Sequence, residues 1–428
     1  MKMRLLIAVT LLIILCIGGG VSIYLWPGLI GLSKRAGHEA EGDGKSASAT
    51  QAPDRVRNNT IGKLVRELGE IQDRIAQGQP DALVEQQRQF SVLADEFDKI
   101  DAGNWQSMPN TDDILIYVLS GGEPDVLRRF VRTASPDASE KRIVDSVLNF
   151  VEQNDKESLA SFGPMNVLEL RPGIAGPVAL AKASLLLGTD DKTTSATLDL
   201  ARLVSPNTAV EEAALRRQIP IVFAQKNFAR GLLLMTDYVA RYGKSLYAPK
   251  FFQSVVPIVV KNDTSDGTKF IDEFADAVEG VDDQVACDVL LSFARTFLAQ
   301  GRLSAVKAAT SWTLKRANAS DLSKNRARLY LAAAEAPSEK AGEVAATLGR
   351  FNDSALSEED QGIRRVAGDI ASSVVSDKLA ADPGQHEPAI DKMGASQSDA
   401  NKPVSNGPLP RTERLLKEIE KLSQAERL

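Results

Sequence analysis

Residues 198–217 read LDLARLVSPNTAVEEAALRR, two helical patterns separated by a turn that contains a proline. Leu198 and Ala201 are three residues apart, so they fall on one face of a first helix. Pro206 ends that helix because its ring leaves no backbone N–H to continue the hydrogen bonding. A second apolar pattern starts at Val210, and two short helices joined by so short a turn lie antiparallel. The stretch therefore predicts a helical hairpin.

The same alternation of helices and short turns extends in both directions along the chain. Apolar residues recur at helical spacing from residue 55 to residue 381 and hardly ever alternate as in a strand. The predicted helices cover residues 61–75, 83–97, 114–119, 126–131, 144–151, 178–187, 198–204, 210–224, 228–242, 251–260, 270–278, 285–299, 304–316, 322–336, 344–351 and 363–375. Within residues 251–260, the run VVPIVV favours a strand locally, but Pro257 at its centre allows at most an edge strand.

The positions of Leu198, Ala201 and Pro206 match a tetratricopeptide repeat, whose second helix has a large residue, a small residue and a terminating proline there. We therefore predict an all-α domain over residues 55–381, built of antiparallel helical hairpins as a degenerate tetratricopeptide-like solenoid. A multi-helix bundle without a true repeat is the alternative.

The N-terminus has the pattern of a bacterial secretory signal. Lys2 and Arg4 precede an uncharged apolar run at residues 5–17, as n-region and h-region do in signal peptides. No clear Ala-x-Ala cleavage site follows, and the apolar character continues to Leu32. Residues 1–32 are therefore predicted to be a cleaved signal peptide or an uncleaved signal anchor. Both alternatives place the rest of the chain in the periplasm.

Two low-complexity segments flank the predicted domain. Residues 33–54 are mostly Gly, Ser, Ala and charged residues, and residues 382–410 contain five prolines among Gly, Ser, Asn and Gln. Such compositions bury little apolar surface and predict disordered, flexible linkers. Residues 411–428 are instead dense in Glu, Lys, Arg and Leu, and predict a short C-terminal amphipathic helix.

The candidate partner-binding residues lie on this C-terminal helix. Leu415, Ile419 and Leu422 form one stripe at helical spacing, with Leu416 beside it. A short helix after a long linker can dock in the groove of a partner or fold back onto its own domain, and the sequence leaves both open. Each Leu or Ile would contribute about 1.5–3 kcal/mol on burial, before entropy is subtracted.

The side chains that most enzymes use for chemistry are nearly absent. Both histidines, His38 and His386, lie in the predicted linkers, and Cys16 lies in the signal, so the helical domain contains Cys287 alone. Ser-His-Asp and Cys-His nucleophile systems and His- or Cys-based zinc sites cannot be built from this set. Cys287 follows an apolar helix pattern and is predicted to be a buried structural thiol.

Phosphate and nucleic-acid sites are equally unsupported. The chain contains no Gly-x-x-x-x-Gly-Lys-Ser/Thr loop. Its formal net charge is −6, and its Lys and Arg residues form no dense run, whereas a surface that follows nucleic-acid phosphates needs a basic patch. We predict a protein that is not an enzyme, has no cofactor and binds no nucleic acid.

Three clusters of acidic residues could instead indicate an enzyme: Glu211-Glu212, Asp282-Asp283 and Glu358-Glu359-Asp360. Each lies at the start of a predicted helix, where carboxylates cap the helix or complement its dipole. We interpret them as capping and solvated residues. The alternative enzymatic hypothesis is a peptidoglycan-active glycan hydrolase that uses two carboxylates.

Residues 114–129, ILIYVLSGGEPDVLRR, together with residues 198–217, resemble the MotC family of periplasmic motility proteins of rhizobia and their relatives. The resemblance covers nearly the whole mature chain, and the signal, the histidine-poor helical body and the length agree as well. It implies a protein that is required for flagellar rotation and binds the periplasmic part of the stator protein MotB. The family has no catalytic or cofactor residues to transfer. A general periplasmic scaffold for envelope assembly is the alternative function.

Overall fold

The computed structural model describes residues 52–100, 105, 110–133, 138–352, 354 and 356–381. Its regular elements are helices, and these residues contain no strand. The all-α prediction is therefore confirmed. The predicted signal or anchor, the linker at 382–410 and the C-terminal helix lie outside the described residues, as do residues 33–51 of the first linker. Among the described helices, none is both long and apolar enough to span a bilayer.

The helices follow one another with short connections. In chain order they are α1 Ala52–Ala76, α2 Asp81–Asp98, α3 Thr111–Leu119, α4 Pro124–Thr133, α5 Ala138–Val151, α6 Asp155–Phe162, α7 Pro172–Leu186, α8 Asp191–Val204, α9 Ala209–Ala224, α10 Phe228–Tyr242, α11 Ala248–Asn262, α12 Thr268–Ala277, α13 Asp283–Ala299, α14 Leu303–Lys315, α15 Asp321–Glu335, α16 Ala341–Leu348 and α17 Glu358–Ala381, with a 3₁₀ turn at Val167–Glu169. The chain divides into two compact units, Met1–Val222 with Lys244–Tyr247 and Phe223–Gly243 with Ala248–Leu428.

The first unit is built of helical hairpins. The helices α1 and α2, α5 and α6, and α7 and α8 pack as consecutive pairs. Their apolar faces meet in a core that includes Phe97, Trp105, Tyr117 and Phe162, each almost completely shielded from solvent. The repeat of paired neighbours confirms the hairpin prediction for this unit.

The short segment Lys244–Tyr247 completes the first unit by packing at the turn after α1. The backbone N–H of Leu246 donates to the carbonyl of Ile75 at 3.4 Å. Gly78 in this turn has a φ of 88°, and a Cβ on it would lie 2.1 Å from the carbonyl oxygen of Lys244. Only glycine satisfies both the left-handed backbone and this close approach.

The second unit stacks helices in sequence. Each helix packs against its neighbour or the next but one, as α13 does with α14 and α15, and α15 with α16 and α17. Aromatic rings fill its interior, and Phe270 lies 5.6 Å from Phe274 and 5.5 Å from Phe293 between ring centroids. This packing between near neighbours is that of a helical solenoid.

The segment VVPIVV belongs to α11, so the edge-strand possibility is wrong. Val255, Val256, Val259 and Val260 are all buried, and their spacing places them on one face of a helix. Pro257 is exposed on the other side. An interior proline costs a helix about 3 kcal/mol, and the burial of four valines at about 1.5 kcal/mol or more each outweighs that cost.

The bounds of several helices differ from the predictions, and one helix was missed. Residues 52–54, predicted as linker, begin α1, because Pro53 and Asp54 suit the first turn of a helix. The polar residues 191–197 belong to α8, which begins after Asp190 accepts a hydrogen bond from the backbone N–H of Thr193 at 3.0 Å. The helix α6 was not predicted, since only two of its residues are buried.

Candidate partner-binding site

The candidate residues Leu415, Leu416, Ile419 and Leu422 lie outside the described residues. In the part of the chain that the structure describes, the second unit has a groove on its surface. This groove is lined by α15, α16, residues 350–352 and Leu356; it is open to solvent and has a volume of about 570 Å³. We call it the α15–α16 groove.

The floor of the α15–α16 groove is apolar. Ala332 and Val344 are buried at its base, and Leu331, Phe351 and Leu356 are half-buried along its sides. The short helix α16 ends at Leu348, where Gly349 continues into the loop. This early end leaves Phe351 and Leu356 to form a wall, so apolar side chains face an open space.

The rim of the α15–α16 groove carries charges without ion-pair partners among the described residues. Arg328 donates only to the side-chain oxygen of Asn325, at 3.0 Å. Arg350 and Glu343, also on the rim, have no described ion pair. At one end Lys340 pairs with Glu335 at 3.4 Å. Two arginines are therefore available to a negatively charged ligand, and one glutamate to a positively charged one.

A buried polar cluster fixes α17 to α15 beside the groove. The hydroxyl of Tyr330 donates to Asp360 at 2.6 Å and accepts from Arg326 at 3.0 Å. Arg326 also forms an ion pair with Asp360 at 3.2 Å. Burial raises the pKa of the Tyr330 hydroxyl above its ordinary value. The tyrosine therefore stays neutral and remains a donor to the carboxylate at any physiological pH.

The first acidic cluster predicted from the sequence is buried rather than solvated. Glu211 accepts from the backbone N–H of Asn207 at 2.7 Å, which caps the start of α9. Glu212 is 1% exposed; it pairs with Arg216 at 2.7 Å and accepts from Ser245 at 3.0 Å. The capping interpretation is confirmed for Glu211, and the solvation of both carboxylates is wrong because they satisfy buried donors.

The other two clusters also serve the fold. Asp282 caps α13 by accepting from the backbone N–H groups of Gln284 and Val285. Asp283 accepts from the side chain of Asn318 at 2.9 Å. Glu359 pairs with Arg295, and Asp360, predicted to be solvated, is instead buried in the cluster with Tyr330. No group of metal-ligating side chains is found among the described residues.

Cys287 is a buried free thiol, as predicted. Burial, and then the nearby carboxylates of Asp283 and Asp288, raise its pKa to about 11. At pH 8 such a thiol is about one part in a thousand thiolate, whereas an ordinary cysteine with a pKa of about 8.5 is about one quarter ionised. Only the thiolate reacts with alkylating reagents.

We expect Cys287 to react with iodoacetamide at pH 8 at least about 100-fold more slowly in the native protein than in guanidinium chloride. The variant Cys16→Ser leaves this single thiol, and mass spectrometry follows its modification. Equal native and unfolded rates would contradict both the burial and the raised pKa.

Sequence reasoning did not identify the α15–α16 groove. Asn325, Arg328 and Glu335 follow the pattern of an ordinary solvated helix face, and Val344 that of an ordinary core residue. The one local signal is Leu322, 57% exposed and three residues before Asn325 on the same helix face. The groove arises where α16 ends early, a feature that depends on tertiary packing.

Comparison with known proteins identifies the family. The model of the family described as chemotaxis protein MotC matches residues 38–427. A chemotaxis protein MotC of Rhizobium meliloti (strain 1021) is 24% identical over 366 residues, which cover 81% of this chain and 82% of that protein. No solved structure matches the chain. Because the family model spans most of its length, the chain belongs to the MotC family of motility- and chemotaxis-associated proteins.

Proposed function

We propose that this protein is exported to the periplasm and is a flagellar-motor accessory, required for motility, that binds the periplasmic part of the stator protein MotB. The observation that carries the proposal is the family match over residues 38–427. The signal-like pattern of residues 1–32 supports export. The alternative of a general envelope scaffold has no comparable support from the comparisons.

A binding role agrees with the side chains that the structure describes. The acidic residues that a hydrolase would need form caps and ion pairs, as Glu211 and Glu212 do in α9. The second unit presents instead a groove with an apolar floor and a charged rim. Apolar contacts framed by charges are typical of protein interfaces.

Deletion of the gene tests the motor role. We expect a strain that assembles flagellar filaments of normal number and does not swim, because the stator rather than the filament would be affected. Swimming in soft agar and electron microscopy of filaments are the two measurements. A plasmid copy should restore swimming. A strain without filaments, or one that swims normally, would rule the proposal out.

Co-purification tests the partner. The tagged full chain, isolated from its own periplasm, should bring down MotB at near-stoichiometric amounts. A second exported helical protein with the same tag is the control for unspecific capture. Recovery of several envelope-assembly proteins without MotB would favour the general scaffold and overturn the motor role.

A further inference from the structure

We propose that residues 411–428 of this chain dock as a helix in the α15–α16 groove of the same molecule, with Leu415, Ile419 and Leu422 on the groove floor. The groove has an apolar base formed by Ala332, Val344 and the half-buried side chains beside them. The occupant is thus a segment of the same chain, and the inference goes beyond the proposed motor role.

The dimensions of the stripe and the groove agree. Leu415 and Leu422 are seven residues apart, which corresponds to about 10 Å along a helix. The helix α16, Ala341–Leu348, forms one wall of the groove and is about 12 Å long at the same rise per residue. Two turns of an amphipathic helix therefore match the length of the wall.

The charges agree as well. On a helix, Glu418 lies one turn from both Leu415 and Leu422 at one side of the stripe, and Glu426 lies one turn after Leu422 at the end of the stripe. They meet a rim on which Arg328 and Arg350 have no described ion pair.

The basic side chains of the segment suit the same placement. Arg411, four residues before Leu415, is available to the rim carboxylate of Glu343. Lys417 and Lys421 fall on the opposite face of the helix, where they would remain in water.

The chain length permits docking within one molecule. The helix α17 packs along α16 and ends at Ala381, so the linker starts within about 36 Å of the groove, the length of α17 itself. A flexible chain with the length of residues 382–410 would have a root-mean-square span of about 27–32 Å and could extend much further.

Tethering also favours this occupant over a second copy. A tether of this kind raises the local concentration of the segment to about 1 mM. An intrinsic dissociation constant of about 0.1 mM would therefore keep the groove about nine-tenths occupied. The family match, which continues to residue 427, includes this segment in the part shared with relatives.

Hydrogen exchange on the full chain at micromolar concentration tests the proposal. Amides of residues 411–428 should exchange about tenfold more slowly than those of an unstructured peptide of the same sequence, which corresponds to nine-tenths occupancy. In the double variant Leu415→Asp with Leu422→Asp this protection should disappear. The matched control is Lys417→Asp with Gln424→Asp, which introduces two aspartates at the same separation on the opposite helix face and should keep the protection.

A charge-exchange experiment locates the docking site without touching the core. Arg328→Glu with Arg350→Glu, both exposed on the rim, should lower the protection of residues 411–428 at least threefold. Adding Glu418→Arg and Glu426→Arg to that variant should restore it. Failure of the second pair to restore protection would overturn the assignment to this groove.

Three other outcomes would also overturn the proposal. Protection that rises with protein concentration would assign the segment to a second copy of the chain. Protection that appears only after addition of the MotB periplasmic domain would make it a partner-binding helix. Absence of protection in every condition would leave the groove without this occupant. None of these outcomes alters the motility and co-purification tests, so the two proposals fail separately.

Discussion

Replacement of Asp360 by alanine is expected to destabilise the protein by about 3–5 kcal/mol, the cost of breaking a buried ion pair on one side. Asp360 is 2% exposed. Its carboxylate pairs with Arg326 at 3.2 Å and accepts from the Tyr330 hydroxyl at 2.6 Å. Alanine would leave the guanidinium and the hydroxyl without the acceptor that compensates for their burial.

Urea unfolding followed by circular dichroism at 222 nm measures this loss. Asp360→Asn keeps an oxygen that accepts from Tyr330 and should cost less than alanine. Glu358→Ala is the matched control, because Glu358 lies in the same first turn of α17 and is exposed; it should change stability by less than about 0.5 kcal/mol. Equal effects of Asp360→Ala and Glu358→Ala would show that the cluster does not hold α17.

The cluster also places α17 against α15, one wall of the α15–α16 groove. Asp360 belongs to α17, and Arg326 and Tyr330 belong to α15. The connection therefore holds α17 beside the helix that forms one groove wall.

The helical character of the chain was predictable because spacing is a local property. The pattern at residues 228–242 predicted α10 with the bounds that the structure gives. Asn227 accepts from the backbone N–H of Arg230 at 3.3 Å at its start, and Gly243 follows its last residue. Cap and stop signals close to an apolar stripe are readable without the rest of the fold.

The start of α8 was missed because its residues are polar. Thr194 and Thr197 are buried, yet each hydroxyl donates to the carbonyl four residues earlier, at 2.7 and 2.8 Å. These bonds satisfy the hydroxyls inside the hairpin, so tertiary burial outweighs a weak helix propensity. Hydrophobic spacing alone cannot detect a helix face of this kind.

Long-range pairing was equally unpredictable. Tyr247 lies under the guanidinium of Arg216 at 4.7 Å from the ring centroid, and Leu246 bonds to the carbonyl of Ile75. These contacts join segments far apart in the sequence, and none of the local patterns indicates them. The α15–α16 groove likewise depends on tertiary packing, whereas the stripe at Leu415 to Leu422 stays a prediction because it lies outside the described residues.

Phe97 is one of the largest buried side chains in the core of the first unit. Its ring is fully buried, stacks on Trp105 at 6.4 Å with an interplanar angle of 8° and contacts Tyr117 at 5.0 Å. Phe97→Ala should destabilise the protein by about 3–5 kcal/mol, because it removes the apolar burial of a whole ring and leaves a cavity.

Fluorescence of Trp105 during guanidinium unfolding reports on this core directly. The variant Trp312→Phe, in the chain that starts after residue 32, leaves Trp105 as the single tryptophan. Val84→Ala is the control on the same helix; Val84 is 63% exposed and its truncation should cost less than about 0.5 kcal/mol. Phe97→Leu retains much of the ring volume and should fall between the two. A loss of unfolding free energy for Phe97→Ala no larger than that for Val84→Ala would contradict the prediction. It would mean that the neighbouring rings fill the cavity at no cost in stability. The aromatic cluster would then not be what holds α2 to α3.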